Sequence, residues 1–458
     1  MSETVAVIGA GLVGSLMTLG LAHRGYNVTL IDMRPDPRKT SNKSEKNLRS
    51  INLAVSDRGI RALEFVDKEM SERVLKDIIP MHGRMIHTLD GKQESQIYGL
   101  FGEHINSIDR GKLNEHLLDE IDLFNENSEN SNKIQCIFNH KVAGLSFNTS
   151  FAKIKLINGD DKDNDNEIEK NFDFIIGADG SYSNIRYQIQ KYIRMNYQQE
   201  YIDKCYLELY IPPGENGSFL IDPNHLHIWP RKEFMLIALA NEDGSFTSTF
   251  FGPWKLTESL NKRELIEPFF NDNFPDAVKL IGMDNIVKVF KENPKGALMQ
   301  VTCNKYNYLD KAIIIGDASH SMVPFYGQGM NCGFEDVRVL LELLDKSTTR
   351  EVAFDSYTEN RHEDLKAILK LAIDNYNEMS TKVISSAYLF RKTLDSLLGK
   401  LLPKYWIPLY TMVSFRGDIP YSECIRREKR QQTILKIVET SLIGMCAIAG
   451  WWKYRKPT

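Results

Sequence analysis

Three glycine and acid clusters stand far apart in the chain: Gly9-Ala10-Gly11-Leu12-Val13-Gly14 with Asp32, Gly177-Ala178-Asp179-Gly180, and Gly316-Asp317. The first carries the most chemistry. Gly9 permits a tight turn, Gly11 lets a pyrophosphate approach the backbone, Gly14 lets a helix lie close to a strand, and an acid about 20 residues on takes a ribose hydroxyl. Asp32 is that acid, and Arg34 and Arg38 beside it can reach adenine or a phosphate, or lie on solvated surface. This set indicates a bound dinucleotide and leaves FAD and NAD both open. The last cluster is followed by Pro324 and Gly327-Gln328-Gly329. Glycines there let a ligand ring meet amides at a helix N-terminus, whose partial positive charge suits an anionic group.

Two arginines add candidates. Arg110 falls in the first turn of a helix capped by Ser107 or Asp109, where the macrodipole disfavours a cation, so an anionic partner such as a cofactor phosphate is expected. Arg84 and Tyr98 lie on the arms of a hairpin turning at Asp90-Gly91. A three-residue loop sets them directly opposite on one face, where guanidinium and phenol clamp a small carboxylate; a two-residue loop sets them on opposite faces.

The elements that must position these groups can be read from periodicity. Apolar runs at 4–8, 27–31, 173–176 and 312–315 end at the acids, as buried parallel strands do when a ligand crevice lies at their C-terminal ends. Alternating runs at 206–210, 226–230, 234–240 and 245–251 predict an antiparallel sheet with one face covered. A helix over 354–383 places Asn375 and Met379 on one face, and 405–415 is an aromatic segment broken by Pro408. The expected fold is α/β: a Rossmann-like dinucleotide domain from 1–75, 103–190 and 290–346, a substrate sheet from 76–102 and 191–289, and C-terminal helices over 350–425.

Composition narrows the classes. The 458 residues are 42% hydrophobic and 26% charged with a net charge of −4, a globular chain of two or three domains without the basic footprint of a nucleic-acid binder. Cys136, Cys205, Cys303, Cys332, Cys424 and Cys446 form no CxxC pair, so no metal site and no disulfide framework is expected. The strand starting at Thr4 leaves no room for a leader peptide. Polar stretches at 35–49, 125–133 and 159–170 read as surface loops. At the other end, 434–452 contains Lys436 and Glu439, and its uncharged part, 440–452, is shorter than the ~20 residues of a spanning helix. Trp451, Trp452, Lys453, Arg455 and Lys456 give it an interfacial signature, and 430–458 is expected to attach to a membrane rather than dock as a terminal helix.

The three clusters in this order resemble the flavoprotein aromatic hydroxylases, over about the first three-quarters of the chain. The resemblance implies bound FAD, NADPH as co-substrate and O2. It makes the clusters the dinucleotide fingerprint, a motif shared by FAD and NADPH that includes Asp179, and the motif in which Asp317 holds the ribityl chain. It also implies that Pro324 shapes the flavin's edge, that amides after Gly329 stabilise the reduced ring, and that Val13, Leu53, Arg110, Met330 and Asn331 contact the cofactor. Asn52-Leu53, Arg84, Tyr98, Asn375-Tyr-Asn-Glu-Met379 and the segment PLYTMVSF resemble the branch of that family acting on L-kynurenine. Arg84, Tyr98, Asn375 and Tyr410 would then hold the amino-acid end of that substrate. The ring would be hydroxylated beside its amino group, through a flavin C4a-hydroperoxide and without a protein base, to give 3-hydroxy-L-kynurenine in tryptophan degradation and NAD biosynthesis. The resemblance further implies a mitochondrial outer-membrane location with the catalytic body facing the cytosol, and no protein partner. The rival expectations are a hydroxylase of a phenolic acid or isoprenoid, and a flavoprotein-like module that binds without catalysis.

Overall fold

A computed structural model describes residues 2–39, 52–158, 167–381, 383 and 385–454. Residues 40–51, 159–166 and 455–458 and the side chains of Trp451, Trp452 and Lys453 lie outside the described residues, and with them most of the stretches expected as loops at 35–49 and 159–170.

Strand β1 (Thr4–Ile8) is the centre of a six-stranded sheet. It pairs in parallel with β2 (Asn27–Ile31) and with β12 (Phe174–Gly177). β8 (Gln135–Ile137) extends the sheet beyond β2, while β19 (Ala312–Ile314) and the antiparallel edge strand β18 (Asn307–Tyr308) extend it beyond β12. Register then does the functional work: Ile8 aligns with Ile31 and Gly177, and Gly177 aligns with Ile314. The three glycine and acid clusters therefore leave the sheet along one edge, the C-terminal edge at which α/β folds bind ligands. Helices cover the sheet because its β-strands are apolar on both sides. α1 (Leu12–Ala22) packs against α4 (Arg110–Glu126) and α11 (Gly329–Lys346), and α2 (Asp57–Val66), followed by α3 (Lys68–Val74), packs against α11. Asp109, not Ser107, caps α4, accepting from the Lys112 amide at 2.8 Å.

The second large sheet has seven strands in the order β17-β13-β16-β15-β14-β5-β6. They are β5 (Gly83–His87), β6 (Gln93–Ile97), β13 (Tyr197–Ile211), β14 (His225–Arg231), β15 (Phe234–Ala240), β16 (Phe246–Gly252) and β17 (Gly296–Cys303). All its pairs are antiparallel except β14 with β5. Both faces are covered, where one was expected. Leu236, Ala238 and Ala240 join a core with Phe270, Phe274 and Phe290. That core belongs to α6 (Trp254–Ser259), α7 (Arg263–Asn273), α8 (Pro275–Ile281) and α9 (Met283–Glu292). Met235, Ile237 and Leu239 point the other way and roof the cavity described below. β17 differs from its expected place: residues 296–303 fall in the stretch expected to build the dinucleotide domain, yet they pair with β13 from Tyr197–Cys303 to Tyr206–Gly296. The polar first half of β13, YQQEYIDK, hid its partner.

Two three-stranded sheets fill the flanks. One joins β3 (Leu53–Val55), β7 (Ile105–Ile108) and β4 (Ile79–Met81); the other joins β9 (His140–Phe147), β10 (Ala152–Asn158) and β11 (Ile168–Phe172). The connections from β12 and β19 open α5 (Asn184–Ile189) and α10 (Asp317–His320). C-terminally come α12 (Arg350–Thr381), α13 (Ser386–Leu401), α14 (Leu409–Phe415) and α15 (Tyr421–Tyr454), of which α12 and α14 line one side of the cavity. The start of α15 is docked, with Tyr421, Cys424 and Gln431 buried, whereas Ile434, Ile437, Val438 and Met445 are exposed. The membrane anchor expected over 430–458 finds no span: among the described residues no helix is long and apolar enough to cross a membrane.

Candidate active site

One elongated cavity of about 650 Å3 begins at the strand ends of the six-stranded sheet and ends under β14, β15 and β16. At its first end the turn after β1 is pressed onto the loop after β12. Gly9 has φ +106°, and a Cβ on it would collide with the Ala178 carbonyl. Gly14 lines no part of the cavity; a Cβ there would strike the Gly9 carbonyl, so it serves helix packing. Gly11 differs from both, because a Cβ on it would meet nothing within 4 Å. The open space lies at the N-terminus of α1, which carries no side-chain cap and no acid in its first turn. Val13 lines the cavity as well and braces Gly316.

Asp32 faces this space and accepts the Ala10 amide at 2.8 Å, but the ribose hydroxyl is not its sole prospect. Arg34 grips both of its oxygens, Nε to Oδ1 at 3.0 Å and Nη2 to Oδ2 at 3.0 Å. Burial works to raise the Asp32 carboxyl, and Arg34 with the backbone amides overrides it and holds the group below its ordinary value. Asp179 is spent largely on its own helix: it accepts from Ser183 Oγ at 2.5 Å, Asn184 N at 2.8 Å and Ile185 N at 3.0 Å, capping α5. Leu53, Arg110, Asp317, Pro324, Gly329 and Met330 complete the lining. Arg110 makes no ion pair among the described residues, as a cation awaiting an anionic group should. Asn331 departs from expectation. Its side chain turns from the cavity, accepts the Ser56 amide at 2.8 Å and donates to the carbonyls of Ala54 and Gly327, both at 2.8 Å. It ties the β3 end to the turn before α11, whose own N-terminus at Gly329 has no side-chain cap.

At the far end the hairpin register differs from both alternatives read in the sequence. Arg84 pairs with Gln96, so Tyr98 lies two residues farther along the chain, diagonal to Arg84 on the same face. Arg84 is 4% exposed and its Nη1 donates to Glu378 Oε1 at 2.8 Å. Its Cζ lies 5.7 Å from the Tyr98 ring centroid and 5.1 Å from that of Tyr410, and the two rings stack at 4.8 Å. Arg84 Nε and the Tyr98 hydroxyl are buried without a partner of hydrogen-bond geometry. Unmade bonds of that kind cost ~1–3 kcal/mol each unless a ligand completes them. Asn375 lines the cavity, but its amide is engaged: it donates to the Phe325 carbonyl at 2.6 Å and fixes the turn at Pro324.

Glu378 was missed in the sequence. One turn beyond Asn375 on α12, it accepts from Arg84 and, at 2.9 Å, from Tyr388 Oη. Burial works to raise its carboxyl, and Arg84 overrides burial and holds it below the ordinary range. Its signal was only the i, i+3 step from Asn375, which many surface glutamates share. Lys392 on α13 donates to Gln96 Oε1 at 3.4 Å; burial, then the repulsion of Arg84, push its ammonium down to about 8. A cation with a lowered value loses its charge first. A carboxylate held at Arg84 should therefore bind about fivefold more weakly as pH rises through 8, and Lys392→Met should flatten that limb of the pH profile of KM.

The group implied at the first end fits the residues present: an uncapped helix start at Gly11, open space over its backbone, an Arg110 with no ion pair among the described residues and a second uncapped helix start at Gly329 are what a diphosphate and an electron-rich ring need. Such a parallel domain under an antiparallel roof is the class of FAD-dependent aromatic hydroxylases. Family models agree: one described as "FAD binding domain" matches residues 122–372, and one described as "FAD dependent oxidoreductase" matches 4–126. Solved structures share the fold at low identity. The tetrameric 2-methyl-3-hydroxypyridine-5-carboxylic acid oxygenase covers 85% of this chain and 95% of its own, with TM-score 0.65 and 16% identity. PqsL of Pseudomonas aeruginosa, solved with 2-aminobenzoylacetate, covers 85% and 100%, with TM-score 0.64 and 16% identity. Curated relatives named kynurenine 3-monooxygenase are far more similar in sequence. That of Candida albicans is 54% identical over 98% of this chain and 96% of its own length, and that of Saccharomyces cerevisiae 49% identical over 98% of each. The chain belongs to the kynurenine 3-monooxygenase family.

Proposed function

We propose that the chain is an NADPH-using flavin monooxygenase that converts L-kynurenine to 3-hydroxy-L-kynurenine. The observation that carries this is the buried, incompletely bonded Arg84 beside Tyr98 and Tyr410, on the wall of the same cavity whose other end suits a dinucleotide. Bound FAD supplies acceptance of a hydride from NADPH and delivery of one oxygen atom of O2. The balance is substrate C–H, O2, NADPH and a proton giving C–OH, water and NADP+.

The chain's own residues bind, orient and exclude water. Arg84 Nε offers the substrate carboxylate a charge-assisted bond while Nη1 stays on Glu378, so the guanidinium is aimed before substrate arrives. Stacked Tyr98 and Tyr410 limit where an aromatic amino acid can lie. Met235, Ile237, Leu239 and Phe251 make an apolar roof over the reacting ring, which keeps water from diverting reduced oxygen into peroxide. No base is required of the protein, because the substrate's own amino group donates electrons to the carbon being attacked. An isoprenoid substrate would leave Arg84 Nε without a partner. The test is NADPH oxidation with and without L-kynurenine, with product mass recorded. A substrate-dependent rate and a mass gain of one oxygen are expected; oxidation with unchanged L-kynurenine and stoichiometric peroxide would overturn the proposal.

A further inference from the structure

Tyrosine is a large ring with one polar tip and is usually half-covered in folded proteins. Two tyrosines break that habit side by side, Tyr182 at the cavity rim and Tyr201 next to it, while Tyr197 farther along is 36% exposed. Tyr182, in the loop after Asp179, lines the cavity and is 72% exposed; its hydroxyl lies 3.3 Å from that of Tyr201, which is 55% exposed. Along β13, Gln199 donates to the Tyr201 hydroxyl at 2.8 Å and accepts from the Tyr197 hydroxyl at 2.7 Å. Residues 197, 199 and 201 alternate with period two, so they share one face, and the strip they form is ~13 Å long. Arg186 backs it, with Cζ 4.6 Å from the Tyr197 ring and its donors on the Ala318 and Ser181 carbonyls. The phenols are tied at their tips, and Tyr182 and Tyr201 keep more than half of their surface open. At the Tyr197 end, where Tyr197 pairs with Cys303, the leaving chain segments carry Arg194 and Lys305, both exposed and in no ion pair among the described residues.

Uncovered rings running from a cavity rim to unpaired cations suit a ligand with planar rings and phosphates. The chemistry of the cavity calls for a two-electron donor of that kind, and the sequence holds a single Gly-X-Gly-X-X-Gly run, already placed at the cavity's inner end. We propose that the strip Tyr182, Tyr201, Gln199 and Tyr197, with Arg194 and Lys305, is the docking site of the reduced nicotinamide dinucleotide phosphate. This rests on the functional reading above. The nicotinamide enters the cavity past Tyr182 and passes a hydride, two electrons with one proton, to FAD, leaving as NADP+. Its adenosine half lies over the tyrosine faces with phosphates toward the cations.

The experiment uses the FAD-loaded full chain carrying Tyr182→Ala and Tyr201→Ala, reduced anaerobically by NADPH with and without L-kynurenine and followed by loss of visible flavin absorbance. The NADPH concentration giving half the maximal reduction rate should rise about tenfold or more. Reduction by dithionite, FAD content and thermal midpoint should stay those of the unmodified protein, and the double Phe variant, which keeps the rings, should stay near it. Arg194→Ser with Lys305→Ser should weaken NADPH while leaving NADH nearly unchanged. A half-saturating NADPH concentration unmoved in the double Ala variant overturns the proposal. Normal flavin reduction without any hydroxylated product would instead count against the functional reading, so the two failures are distinguishable.

Discussion

Arg84→Met raises KM for L-kynurenine about 10- to 100-fold, with FAD content unchanged and a larger share of the consumed NADPH appearing as peroxide. The size follows from the bond removed. A charge-assisted hydrogen bond to a carboxylate contributes ~1.5–3 kcal/mol, and about 1.4 kcal/mol is a factor of ten in binding. The uncoupling follows from geometry: with the carboxylate unheld, the ring no longer sits fixed under the roof of Met235, Ile237 and Leu239. Arg84→Lys should lie between, since an ammonium keeps the charge and loses the fork that serves Glu378 and ligand together. Steady-state kinetics with peroxide quantified checks both variants. A KM unchanged in Arg84→Met would remove the clamp from the account.

Asp336→Ala has the second large effect, and it acts on the scaffold. Asp336 on α11 is fully buried, accepts from Arg361 Nε at 3.0 Å and Nη2 at 2.9 Å, from His320, and from the Gly316 amide at 3.0 Å. It thus ties α12 and the Gly316 turn, which carries Asp317 into the cavity, to the helix that starts at Gly329. Removing one member of a buried ion pair leaves the others uncompensated and costs ~3–5 kcal/mol. The thermal midpoint should fall by roughly 5 °C or more and FAD should be lost on gel filtration. The same network sets an acid limit. Burial works to raise the carboxyls of Asp336 and Glu335, and the facing groups, His320 and the Arg361 guanidinium for Asp336 and the guanidinium groups of Arg361 and Arg58 for Glu335, override it and hold them below ordinary values. Groups lowered in the folded state stabilise it above their unfolded values and stop doing so as pH falls through the folded ones. Unfolding by acid should therefore begin below about pH 4, which circular dichroism across pH would record.

The first βαβ unit could be read in the sequence residue for residue, because β1 at Thr4–Ile8 and β2 at Asn27–Ile31 are short apolar runs bounded by glycine and acid. The C-terminal strand edge followed from the same local signals. What stayed hidden depends on partners distant in the chain. β17 and the polar half of β13 are strands because they pair with each other across ~100 residues, and nothing in either run announces it. The Arg84 register depends on a turn whose length Asp90-Gly91 does not specify. Asn331 looks like a ligand for the flavin's helix until the Ser56 amide and the Ala54 carbonyl are seen to use its side chain. Glu378 becomes visible only when α12 is laid against the hairpin.

Turnover of L-kynurenine under isotopically labelled dioxygen tests the central claim, that one cavity holds a flavin and an aromatic amino acid together with water shut out. One labelled oxygen atom is expected in the hydroxylated product, and none in that position from solvent. A product oxygen drawn from water, or labelled peroxide with unchanged kynurenine, would contradict it.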